Sequence, residues 1–311
     1  MQVNNSPSIL FPGTILPTET QRRNDWDHLN LEHIFIDVQG YGIRKIEAFW
    51  IRGENCNPSD RTILVYHGNG STLYNMSRQV NKYIKEGFNV LVSTMGGKQY
   101  PQSNPPQDAN NDFYTNELSM YADIDGEMKF LQGKGVKSVG LHGQSMGGVK
   151  ALEAAVKYHN RENFPRVRFV IAEQTLTSAV DVAGNFFRNI GKDEGEGKAL
   201  GETLAEKNLR DDLNGHITDG MHNWHKGVAL RETKVEVLTI ASKYDDLMGR
   251  DLAEDGYRLN FAHDLLRARY GDDTDKKPFI IEGGHCSPID DNTFDGILKF
   301  ANANCPKSVM E

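Results

Sequence analysis

Short, unbroken apolar runs that end in glycine-rich turns alternate with segments whose apolar residues recur every three or four positions. Thr62-Ile63-Leu64-Val65-Tyr66 closes on His67-Gly68-Asn69-Gly70, the pattern of a strand buried on both faces. Tyr74 to Glu86 carries Met76, Val80, Tyr83 and Ile84 at helical spacing, and Phe88 to Met95 is the next strand. A helix from about Tyr114 to Gly133, a strand with a sharp turn at Ser138 to Gly148, a helix to His159 and a strand at Val167 to Glu173 continue the series. This β-α-β-α order predicts an α/β protein with a mostly parallel central sheet, helices on both faces and right-handed crossovers. Ahead of it, Leu31 to Val38 and Ile43 to Arg52, parted by Gly40 and Gly42, read as an antiparallel pair.

Three stretches depart from that rhythm. Residues 1–30 are polar and proline-punctuated, an irregular lead-in. Residues 96–112 are rich in Gly, Pro, Asn, Gln and Asp, which predicts a long exposed loop near the strand ends. After Glu173 the alternation stops until Val235 to Ile240; residues 177–190 and 198–213 pattern as helices around a Gly/Glu-rich stretch. The chain therefore divides into a core of residues 31–175 and 233–311 and a helical lid insertion of residues 176–232. A helix from about Leu252 to Tyr270, a strand at Pro278 to Glu282 and a helix near Thr293 to Asn302 complete it.

The sharp turn carries the chemistry. Ser145 stands in Gly143-Gln144-Ser145-Met146-Gly147, where glycines permit a strand-to-helix turn in which side chains would collide, and the serine oxygen is held clear of the backbone. A serine hydroxyl needs a histidine to take its proton and a carboxylate to orient that histidine. Asp245 follows the strand ending at Ile240, and His285 follows Phe279-Ile280-Ile281 in Gly283-Gly284-His285. Both lie just past the C-terminal ends of strands, the edge where parallel sheets build their crevices. The backbone N–H groups of Met146, at the helix start, and Asn69, after the His67-Gly68 turn, are placed to bind an oxyanion. Asp245 is preferred to Asp246 from its place in Asp245-Asp246-Leu247; Asp246 is then a solvated neighbour or helix cap. Glu173 also ends a strand, and it either orients a histidine or bonds structurally. His142 reads as a satisfied core residue, His67 as part of a turn and His263 as a helix-packing residue.

His67-Gly68-Asn69-Gly70, Gly143 to Gly148, Ile171 to Ser178, Asp245-Asp246-Leu247 and Gly284-His285 together resemble the α/β-hydrolase superfamily. The nearest likeness is to serine hydrolases grouped with acylglycerol lipases, protein depalmitoylases and related esterases, and it covers most of the chain. The resemblance implies the α/β-hydrolase fold, a Ser145, Asp245, His285 triad and activity on esters, thioesters or, less often, amides. The polar loop at 98–112 and the enlarged insertion have no fixed counterpart in that family, and both would border the site. Phe186, Phe187, Met221 and Trp224 in the insertion either line an acyl pocket or form the lid's own small core.

Composition narrows the partners. A net charge of −8 with no lysine/arginine cluster excludes a phosphate-binding face, and hence nucleic acid and anionic membrane surfaces. No apolar run nears the roughly 20 residues a membrane helix needs. Pro12, Gly13 and Pro17 interrupt the N-terminal apolar residues with no basic region before them, unlike a secretory signal. Cys56, Cys286 and Cys305 are odd in number and widely spaced, which fits a reducing, cytoplasmic setting. His216, His222 and His225 cluster, but their spacing matches no common zinc motif, so no metal or cofactor is expected. The leading reading is a serine hydrolase that forms an acyl-enzyme at Ser145 on carboxylic ester or lipid-like acyl substrates. A protein or acyl-CoA thioesterase is the alternative, then a peptidase. A catalytically idle fold serving as a binding module is the rival from another class. The rate is expected to rise with pH through one ionisation near neutrality.

Overall fold

The computed structural model describes residues 29, 31–39, 44–54, 56, 57, 61–69, 71–95, 117–176, 178, 182, 196, 199, 223–245, 247, 248 and 260–306. Its strands are β1 (Leu31–Val38), β2 (Arg44–Ile51), β3 (Thr62–Tyr66), β4 (Asn89–Ser93), β5 (Ser138–Gln144), β6 (Arg166–Glu173), β7 (Glu236–Ser242) and β8 (Phe279–Ile281). The helices are α1 (Ser77–Lys85), α2 (Glu117–Gly133), α3 (Met146–Tyr158), α4 (Trp224–Ala229), α5 (Asn260–Tyr270) and α6 (Asp291–Asn304). A 3-10 turn at Leu73–Met76 leads into α1.

One sheet of eight strands runs β1-β2-β4-β3-β5-β6-β7-β8. The β1/β2 and β2/β4 pairs are antiparallel and every later pair is parallel. All five residues of β3 and of β4 are buried, because each strand lies inside the sheet with helices above and below. Alternation sorts their side chains. Leu64, Tyr66 and Leu91 join the core that α2, α3 and α5 cover. Ile63, Val65, Val90 and Val92 join the opposite core, which α1 and α6 cover. Two largely apolar layers of this size supply the main drive to fold.

Strand order fixes the place of a site. From β3 the chain crosses to β4 on one side and then to β5 on the other, so the order in which parallel strands are added reverses between β3 and β5. At such a switch point the two connections leave on opposite faces and open a crevice beyond the strands' C-terminal ends. The turn after β3 and the turn after β5 therefore face each other there.

The expected 96–112 loop, residues 252–259 of the expected long helix, and most of the expected insertion lie outside the described residues. Its last part, however, folds onto the core. In α4, Lys226 Nζ lies 3.1 Å from Glu153 of α3. A Cβ on Gly227 would fall 2.8 Å from the Ala268 methyl group of α5. Leu230 is wholly buried in the α2–α3–α5 core, so residues 223–230 pack as part of that helical layer. Among the described residues no helix is long and apolar enough to cross a membrane.

Candidate active site

The turn between β5 and α3 closes only around glycine. A Cβ on Gly143 would lie 1.9 Å from the Gly147 carbonyl oxygen, and one on Gly147 would lie 2.4 Å from that of Tyr66. Both contacts are impossible. The compression forces Ser145 into φ 53°, ψ −117°, a sparsely populated region that costs an L-residue about 1–3 kcal/mol. Ser145 occupies the N-cap of α3 yet makes no side-chain capping bond, although capping is the usual use of serine there. Its backbone N–H donates instead to the Glu173 carbonyl at 2.7 Å, and its hydroxyl is left for other work.

That hydroxyl meets His285. Ser145 Oγ lies 2.9 Å from His285 Nε2, and His285 Nδ1 lies 2.9 Å from Asp245 Oδ2. The carboxylate can only accept, so Nδ1 carries a proton, and in the neutral imidazole Nε2 presents its lone pair to the serine hydroxyl. Asp245 is itself fixed, since its Oδ1 accepts from the backbone N–H groups of Met248 at 2.9 Å and Leu247 at 3.2 Å. Burial disfavours the imidazolium, but the hydrogen bond to Asp245, the adjacent Cys286 thiol and the Asp245 charge outweigh it and raise His285 from 6.5 to about 10. The ionisation expected near neutrality is therefore displaced to the alkaline side. Asp246 lies outside the described residues.

The opposing turn after β3 is tight against the serine. A Cβ on Gly68 would stand 3.4 Å from that of Ser145. Buried His67 clamps this turn: its Nδ1 donates to the Gly68 carbonyl at 2.7 Å, and its Nε2 accepts from the Met95 N–H at 3.0 Å. Burial first, and the charge of Lys150 as well, lower His67 to about 4, so it stays neutral and keeps both bonds. Asn69 follows at the half-buried rim. Met146 is the first residue of α3, where helix N–H groups lack intrahelical acceptors.

Polar residues under the site form two closed networks. The Glu173 carboxylate accepts from His142 Nε2 at 2.9 Å and Gln144 Nε2 at 2.7 Å, and the Tyr83 hydroxyl completes His142 at 2.8 Å. Glu173 is thereby committed to the sheet. On the other face, fully buried Lys150 lies 2.7 Å from Glu127 and 3.6 Å from Asp123, and Tyr66 donates to Glu127 at 2.9 Å. Lys150 stands five residues beyond the serine, and a lone lysine among Gly147, Gly148, Val149, Ala151 and Leu152 was the available sequence signal for this network.

Phe186 and Phe187, with Met221, His216 and His222, lie outside the described residues. Trp224 opens α4 and is 48% exposed. Among the described residues no group of three or more His, Cys, Asp or Glu could hold a metal ion. A cavity of about 30 Å³ touches Asp245, Gln174, Ser242 and Phe261 but not Ser145 or His285, so it lies apart from the serine. An apolar cluster of Met95, Met120, Met146, Val149, Leu176 and Val182, with Leu247 and Met248 against it, surrounds the strand ends.

No protein-family model matches the sequence, and no curated protein matches it significantly. Solved structures do match. An esterase of Pyrococcus furiosus is similar at 14% identity with a TM-score of 0.63, over 96% of this chain and 99% of that one. A carboxyl esterase 2 of the fungus Tuber melanosporum is similar at 14% identity and a TM-score of 0.57, over 91% and 89%. An acylaminoacyl peptidase of Pyrococcus horikoshii is similar at 13% identity and a TM-score of 0.54, over 91% of this chain but 43% of that one. With its strand order, its switch point between β3 and β5 and these likenesses, the chain has the α/β-hydrolase fold.

Proposed function

We propose that the protein is a serine hydrolase that cleaves carboxylic esters through an acyl-enzyme at Ser145. The observation that carries this reading is the continuous hydrogen-bonded line from Ser145 through His285 to Asp245, at 2.9 Å per step, built from three separate turns at one sheet edge. In the first half-reaction His285 Nε2 takes the Ser145 proton as Oγ attacks the acyl carbon. The developing oxyanion is held by the Met146 and Asn69 N–H groups, donors that cost no reorganisation. The leaving alkoxide takes the proton from His285, and water then repeats the sequence on the acyl-enzyme. Asp245 keeps the proton on Nδ1 and stabilises the imidazolium. No step calls on a metal or cofactor. Residues 176–222 are proposed to cover the crevice and select the acyl group, with Phe186 and Phe187 in that role and Trp224 at its border.

The esterases among the structural neighbours support an ester substrate. The acylaminoacyl peptidase supports amide cleavage as the second reading, since the same groups serve both leaving atoms. The test is turnover of p-nitrophenyl esters of increasing acyl length beside matched acyl thioesters and acyl amides. Ester cleavage that disappears in Ser145→Ala is the expected result. Cleavage of the amides alone would favour the second reading, and no cleavage of any of them would refute the hydrolase.

A further inference from the structure

We infer that Gln174 is a positioning residue that holds His285 in line with Ser145 by tying the loop of the base to the loop of the acid. This rests on the catalytic reading given above. Among the described residues, three that are not glycine have a left-handed backbone: Ser145 (φ 53°), Gln174 (φ 48°) and Cys286 (φ 60°). The dipeptide Glu173-Gln174 links them. The Ser145 N–H donates to the carbonyl of Glu173, the residue before Gln174, at 2.7 Å. Gln174 Oε1 accepts from the Cys286 N–H at 2.6 Å, and Gln174 Nε2 donates to Ser242 Oγ. The Gln174 N–H continues the sheet by donating to the Ile240 carbonyl at 2.8 Å.

Ser242 ends β7 three residues before Asp245, and Cys286 is the residue after His285. One dipeptide, Glu173-Gln174, thus reaches the serine, the root of the acid loop and the backbone beside the base. Glycine or asparagine is the usual occupant of a left-handed position. A glutamine there accepts a conformational cost that glycine would avoid, and what it offers in return is a side chain with an acceptor and a donor at the right reach. Gln174 is 3% exposed, so water does not compete for these bonds. The bond to Cys286 acts where the chain bends directly after His285, so it sets the direction of the imidazole. Catalytic groups displaced by about 1 Å lose on the order of 10²-fold in rate.

Gln174→Met tests this, because methionine has the same reach and no hydrogen-bonding amide, and the small cavity beside it leaves room for the thioether. Three readouts are taken: kcat and KM on a p-nitrophenyl ester, the rate of fluorophosphonate labelling of Ser145, and the His285 ionisation followed by NMR in the resting protein. The expected result is a loss of about 10²-fold in kcat and in labelling, with KM within about twofold. The His285 ionisation should fall towards its ordinary value as the Asp245 bond loosens. Ser242→Ala, which removes one end of the tether, should show the same pattern at about tenfold and carries the test if the methionine variant fails to fold. Gln174→Glu retains the acceptor for Cys286 and should keep more activity than Gln174→Met. Variants with a lowered melting temperature but unchanged kcat and His285 ionisation would overturn the inference, leaving Gln174 a packing residue. If the parent protein neither turned over esters nor labelled, the hydrolase reading would fail, and the NMR ionisation would still decide whether Gln174 sets His285.

Discussion

Asp245→Asn is the substitution whose outcome the geometry determines most closely. Asp245 Oδ1 holds two backbone donors, Leu247 and Met248, and Oδ2 holds His285 Nδ1. Asparagine has one oxygen. Placing it towards the loop keeps two hydrogen bonds, whereas placing it towards His285 keeps one and faces an NH2 group against two N–H donors. At about 1 kcal/mol per bond, plus the penalty of unpaired donors, the first orientation wins. The amide NH2 then donates to Nδ1, so the histidine proton moves to Nε2 and faces the serine hydroxyl. The base is blocked, and the charge that stabilised the imidazolium is gone. An exchange of this kind costs about 10⁴-fold in kcat, or about 5.5 kcal/mol of transition-state stabilisation. KM should stay within a few-fold, since Asp245 is not placed against substrate. Steady-state hydrolysis of a p-nitrophenyl ester, with circular dichroism to confirm folding, measures both quantities. A kcat within tenfold of the parent, alongside a much larger loss in Asp246→Asn, would refute the reasoning and move the acid by one residue.

Lys150→Met strands the Glu127 and Asp123 carboxylates in the core and should destabilise the protein by about 3–5 kcal/mol in urea unfolding; a change below about 1 kcal/mol would show that the network is not held by the lysine. The rate kcat/KM should rise with pH on a single ionisation alkaline of 6.5, because His285 must be neutral to act and its pKa is raised by Asp245 and Cys286. A profile that is already flat above pH 6 would contradict this. Replacing Phe186, Phe187 and Trp224 together with alanine should shift acyl-chain preference while labelling of Ser145 survives; an unchanged chain-length profile would make the insertion a partner-binding surface instead.

The parts of the fold visible in the sequence are those governed by local rules. Strands β3 and β4 are built on the apolar runs Ile63 to Tyr66 and Val90 to Val92 because both their faces are buried, and Gly143 and Gly147 mark a turn that no other residue type can make. What the sequence conceals depends on pairings between distant segments. Asp123 and Glu127 look like the polar face of a helix, yet both are fully buried because Lys150, more than twenty positions on, enters the same pocket. Residues 223–230 show no clear apolar period, and their attachment to the core turns on the close approach of Gly227 to Ala268, which only the packed structure reveals. Gln174 reads as an ordinary polar residue after a strand. Its left-handed backbone and its bond to Cys286 are consequences of where β7 and β8 end. The places of His285 and Asp245 just past strand ends are read from the sequence, but their 2.9 Å approach and the upward shift of His285 depend on the packed structure.

The most direct test of Ser145 as an activated nucleophile is intact-protein mass spectrometry after incubation with a fluorophosphonate probe. A single adduct that maps to Ser145, is absent from Ser145→Ala and forms far more slowly in His285→Ala is the predicted result. No adduct on the folded parent protein, or an adduct that persists undiminished in Ser145→Ala, would contradict it.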